Sequence, residues 1–117
     1  MDPTPPQDVA PVFTPQSRDE LEEAVKTCFK LFRSGNCAHS PHGPIAEWDV
    51  SNVIHMFHMF SHSPSFRGDI SKWDVSRVLS MTAMFMNTDV FNTDITKWNV
   101  SSVRIMYGMF TLSLIHI

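Results

Sequence analysis

The stretch WDVSRVLSMTAMF, residues 73–85, decides how the chain is read, because the chain carries it three times. WDVSNVIHMFHMF stands at 48–60 and WNVSSVRIMYGMF at 98–110, so the period is 25 residues without slippage. Ile45, Ile70 and Ile95 keep the same phase, as do Phe66 with Phe91 and Asp69 with Asp94. A fixed period of about 20 to 50 residues marks stacked repeats, in which no unit can bury its apolar face alone and equivalent positions share one core.

Within one unit two periodicities follow each other. In ISKWDV, residues 70–75, Trp73 and Val75 are two apart with Asp74 between them and Lys72 before, the pattern of a short half-buried strand. Val78, Met81, Met84 and Phe85 then fall on one face of a short helix. Ser76, with Ser51 and Ser101 at the aligned positions, reads as that helix's N-cap. The return segment MNTDVFNTD, 86–94, is rich in turn formers. The expected fold class is therefore α/β: a short solenoid of three 25-residue strand-helix repeats over 45–110, with parallel strands roughly 4.8 Å apart. Its core column is Trp48, Trp73 and Trp98; Val50, Val75 and Val100; Met56, Met81 and Met106; Met59, Met84 and Met109; and Phe60, Phe85 and Phe110.

The string F-x-G-D-I-S-x-W-D-V-S-x-V-x-x-M-x-x-M-F, carried by residues 66–85, resembles the BspA-like surface-protein repeat. That family is leucine-rich-repeat-like, of mycoplasma-lipoprotein type, and occurs on bacterial surface lipoproteins and in single-celled eukaryotes. The likeness spans 43–110 and enters at Gly43-Pro44-Ile45. It implies a leucine-rich-repeat-like array and a binding or cell-surface role, and it names no catalytic residue.

Upstream of the repeats, residues 1–16 hold five prolines and read as an extended tail, either a free leader or an arm laid on a partner. Ser17-Arg18-Asp19-Glu20 fits a capping box, with acids in the first turn. Leu21, Ala24, Val25, Cys28, Phe29 and Phe32 follow at helical spacing, basic residues load the later turns, and Gly35 stops the run. Residues 17–34 are expected to be an amphipathic helix that caps the first repeat, and 35–44 a connecting loop. Cys37 can fold back to Cys28: a disulfide in an oxidising compartment, two free thiols in a reducing one. Residues 111–117, TLSLIHI, break the repeat pattern and leave the last unit poorly covered, so Phe110, Leu112, Leu114 and Ile115 are the expected partner contacts.

Composition sets the outer limits. The 117 residues suit one domain with a modest core. A net charge of −3 gives no electrostatic reason to expect nucleic acid. No apolar run approaches the roughly 18 residues that span a bilayer, and the N-terminal stretch lacks the pattern of a secretory signal.

Each chemical motif has a plainer alternative. His55, His58 and His62 are spaced as one helical face, which is the weak case for a metal site. The aligned residues Ser80, Ala83 and Asn87 show that the framework does not need histidine there, and no cysteine or carboxylate completes four ligands. The Met-x-x-Met pairs could bind copper(I) as thioethers, yet they lie in phase with Val and Phe and read as core. Arg67-Gly68-Asp69 spells an adhesion tripeptide, but its Asp belongs to the repeat. Asp49, Asp74 and Asn99 form a column that suggests either calcium or carboxylates accepting backbone amides, and Asn99-Val100-Ser101 fits a glycosylation acceptor at a position that is Asp elsewhere. No cofactor is expected. No nucleophile elbow, phosphate loop or zinc motif is present.

The expected function is accordingly a non-enzymatic protein–protein interaction module, a small structural or scaffold subunit of a larger assembly such as an organellar complex. The alternative is a free cell-surface adhesion or recognition protein of BspA-like type.

Overall fold

The computed structural model describes residues 12–31, 37, 40–63, 66, 68–88 and 94–110. Among them are one α-helix, α1 (Arg18–Leu31), one 3-10 turn at Ile45–Glu47, and no strand. The expected α/β solenoid of strand-helix repeats is therefore overturned: the chain forms a small globule built mostly of turns.

The backbone gives the reason. Val78, Met81, Met84 and Phe85 have helical spacing, but Ala83 between them sits at φ +52° and Asn87 at +55°, far from the roughly −63° that a right-handed helix needs. The aligned His58, Gly108 and His62 are left-handed as well, at +57°, +65° and +59°. Each unit is instead a run of three-residue-span turns, such as Met84 N–H to Met81 O at 3.1 Å and Met86 N–H to Ala83 O at 3.2 Å. Upstream, Trp73 N–H closes on Ile70 O and Val78 N–H on Val75 O, so the backbone of 70–75 is spent on turns and no strand forms. The alternation of buried Trp73 and Val75 with exposed Lys72 and Asp74 survives without a strand.

Three tiers of such turns, 45–63, 70–88 and 95–110, lie against one another. The parallel bridges His55 to Ser80 and Ser80 to Ile105 set their register. The amides of Met56, His58, Phe60 and His62 donate to the carbonyls of Ser80, Thr82, Met84 and Met86 at 2.8 to 2.9 Å, and those of Met81, Ala83 and Phe85 to Ile105, Tyr107 and Met109 at 2.9 Å. On the opposite side, the Trp73 indole donates to Ile45 O at 2.8 Å and the Trp98 indole to Ile70 O at 3.0 Å. The Phe60 and Phe85 rings stack at 5.8 Å, and Phe85 and Phe110 at 5.7 Å.

Helix α1 closes the first tier. Ser17 Oγ accepts from Glu20 N–H at 3.2 Å, while the Glu20 carboxylate reaches back to Gln16 N–H, also at 3.2 Å. The buried face, Leu21, Ala24, Val25 and Cys28, enters the core, and Phe29 continues the aromatic column to Phe60 and Phe66. Cys28 and Cys37 are joined by a disulfide with Cα atoms 5.3 Å apart, and both are fully buried. Residues 12–16 lie on the same tier: Asp49 N–H donates to Phe13 O at 3.0 Å, and the Phe13 ring stacks on His42 at 3.8 Å. The ends of the expected helix beyond Leu31, Gly35 among them, lie outside the described residues.

Candidate functional site

The two ends of the stack differ. At the first tier, the outward carbonyl of Phe57 is taken by Arg18, whose guanidinium donates to it from Nε at 3.0 Å and from Nη2 at 2.8 Å and lies 4.1 Å above the Phe57 ring. Arg18 is itself held by Glu22, which also pairs with Lys26 at 2.8 Å. At the third tier no such cover exists among the described residues.

The burial of equivalent methionines measures that difference. Met56 and Met81 are fully buried, whereas Met106 is 43% exposed. The expectation that Met106 shares the core is thus corrected: nothing in the described chain lies beyond it. Ile105 and Tyr107 are 53% and 82% exposed beside it, and Val100 and Phe110 are only partly buried. Met109 and Trp98 are buried, as are Trp48, Trp73, Val50, Val75, Met59, Met84, Phe60 and Phe85 of the first two tiers. Along the same open edge run the backbone amides of Met106, Gly108 and Phe110, in phase with the amides that bond tier to tier elsewhere, and none has an acceptor among the described residues. Leu112, Leu114 and Ile115 lie outside the described residues.

A second concavity of about 300 Å³ lies between α1 and the first tier, lined by Arg18, Glu22, Val25, Lys26, Phe29, His58, Met59, Ser61 and Ser63. Its charges are already matched, since Glu22 faces both cations. The Lys26 hydrogen bond is the first cause holding the Glu22 carboxyl below its ordinary range.

The histidines do not converge. His58 Nδ1 lies 3.5 Å from Ser61 Oγ, His62 Nδ1 lies 3.3 Å from Asn87 Nδ2, and the buried His55 Nδ1 has no hydrogen-bond partner. The helical face that was to gather them is absent. Among the described residues no group of three or more His, Cys, Asp or Glu is arranged to hold a metal.

The aspartate column has a structural task. Asp49 Oδ1 accepts from Ser51 N–H at 3.0 Å and Ser51 Oγ at 2.6 Å, Asp74 does the same with Ser76, and Asn99 Oδ1 accepts from Ser101 N–H at 3.0 Å. Ser76 is consequently a donor to this turn and not a helix N-cap. A second column, Asp69 with Ser71 and Asp94 with Thr96, repeats the device. Serine or threonine hydroxyl bonds, then backbone bonds, hold these four carboxyls below the ordinary range. Arg67 of the adhesion tripeptide lies outside the described residues, and its Asp69 is engaged by Ser71.

Among the described residues no catalytic group is assembled; what they show is a first tier covered by α1 and a third tier with an exposed edge. A family model described as "Mycoplasma protein of unknown function, DUF285" matches residues 24–114, which takes in most of α1 and all three tiers. The chain belongs to that family. No curated protein and no solved structure matches it. Among the described residues no helix is long and apolar enough to cross a membrane. The family description carries no activity, so the chemistry of the open end is the guide to what this member does.

Proposed function

We propose that this chain is a non-enzymatic protein–protein interaction module, a small structural subunit used through the open end of its third tier. The observation that carries the reading is Met106, 43% exposed at a position buried in both other tiers, with exposed Ile105 and Tyr107 on the same edge. Apolar side chains gathered on one edge favour a protein partner over water. The test is a photo-crosslinking residue at Tyr107, compared with one at the exposed Lys72 on another side, in the cells that make the protein. A discrete adduct from position 107 alone supports the reading; equal or no labelling from the two positions overturns it.

A second reading, a cell-surface recognition protein of BspA-like type, is favoured by the Cys28–Cys37 disulfide, because such bonds persist in oxidising compartments. A membrane-impermeant amine reagent applied to intact cells separates the two. Labelling of the intact-cell protein supports the surface reading, while labelling only after lysis, with comigration in a large particle on gel filtration, favours the internal subunit.

A further inference from the structure

We propose that Asn99 is a glycosylation site, its side-chain amide nitrogen taking one oligosaccharide from a polyprenyl diphosphate carrier. This goes beyond the interaction reading above and uses no residue of the exposed edge at 105–107.

Asn99 breaks the rule of its own column. Where the first two tiers place Asp49 and Asp74 the third places an amide, and of the chain's five asparagines Asn99 alone has a serine or threonine two residues on. The exchange costs the fold a bond. Each aspartate accepts from both the N–H and the hydroxyl of its serine, the hydroxyl at 2.6 Å, whereas Asn99 keeps only the N–H bond from Ser101 at 3.0 Å. The third tier thereby gives up a charge-assisted contact. A departure that weakens a repeated device without a gain in packing belongs to a position that serves something else.

What the exchange supplies is a nitrogen. Only the oxygen of an asparagine side chain can accept an N–H, so the bond from Ser101 holds Oδ1 to the turn and leaves Nδ2 unengaged. Among the described residues neither Asn99 Nδ2 nor Ser101 Oγ makes a hydrogen bond, and both residues are exposed. The backbone turns directly after them, with Val103 N–H on Val100 O at 3.0 Å. A transferase can therefore take hold of the triplet from solvent without opening the core. The Cys28–Cys37 disulfide belongs with this chemistry, since the lumen that forms such bonds is also where asparagine receives oligosaccharides.

In the transfer, Nδ2 bonds to the anomeric carbon of the oligosaccharide as the bond from that carbon to the carrier's diphosphate oxygen breaks. Polyprenyl diphosphate leaves, and the proton lost from Nδ2 passes to solvent.

The experiment takes the full-length, disulfide-bonded chain from the cells that make it and treats it with peptide-N-glycosidase in heavy-oxygen water. The expected result is loss of one glycan's mass and a heavy-oxygen-marked Asp at position 99 in tandem mass spectrometry. Asn99→Asp, which restores the residue of the other two tiers, and Ser101→Ala, which removes a hydroxyl that bonds nothing, should each abolish the glycan and keep the wild-type near-ultraviolet circular dichroism. An unmodified Asn99 in the wild-type protein overturns the proposal, as does a glycan that survives in Asn99→Asp. If crosslinks from position 107 persist while Asn99 is bare, the interaction reading stands and this inference alone falls; a glycan at Asn99 without a specific crosslink from 107 supports this inference and overturns that reading.

Discussion

At the scale of single residues, Arg18 does the most with one side chain. It joins α1 to the first tier through two charge-assisted hydrogen bonds and a ring contact. Arg18→Ala should lower stability by about 1 to 3 kcal/mol, read as a drop in denaturant midpoint at unchanged slope. Left-handed positions act in the opposite sense. His58 is exposed at φ +57°, and the aligned residue of the third tier is Gly108. His58→Gly should raise the thermal midpoint, a gain of roughly 0.5 to 1 kcal/mol, because glycine adopts this conformation without a Cβ clash. Gly108 and Asn87, both tolerant of positive φ, were the sequence's signal that 78–87 does not form a helix. The helical spacing of Val78, Met81 and Met84 masked it, since turns of alternating hand also bring every third or fourth side chain to one side.

At the scale of elements, α1 was legible because its signals are local: a serine cap, acids in the first turn and a stripe of apolar residues. The capping box differed only in that Glu20 bonds Gln16 N–H. The expected strand 70–75 was not legible, because periodicity of two reports which side chains are buried and says nothing of where the backbone hydrogen bonds go. The Asp-x-Ser turns at 49, 69 and 74 decided that question locally. The disulfide fastens α1 to the segment after it, closing a short loop whose loss should cost roughly 3 kcal/mol. The paired variant Cys28→Ala, Cys37→Ala should show this as a lower denaturant midpoint, with wild type in reductant falling to match.

At the scale of the whole molecule, the aromatic column Phe60, Phe85, Phe110 runs through all three tiers. Phe85, fully buried between two rings, is its centre. Phe85→Ala should cost about 3 to 5 kcal/mol, enough to unfold a domain of this size in calorimetry. Acid should act through the aspartate columns. Their carboxyls are held below the ordinary range in the folded chain, so the stability they contribute is complete above the unfolded value of about 4 and is lost as pH falls through the lower folded values. A melting temperature flat from neutrality to about pH 4.5 and declining below it checks the sign. Of the candidate site, the exposed edge at Ile105, Met106 and Tyr107 was anticipated only through the break in the repeat pattern at 111–117. Which backbone groups join the tiers was not legible, since side-chain patterning does not report the hydrogen bonds of the main chain.

The helix across the first tier also sets what joining this protein does to a growing array. If the proposed interaction builds an array, a member whose first tier is covered by α1 would end it: each filament or complex end would receive a single copy and elongate no further. Stoichiometry would then count ends and not mass, and raising the amount of this protein against a fixed pool of partner should give shorter assemblies, measurable as a fall in mean length by light scattering.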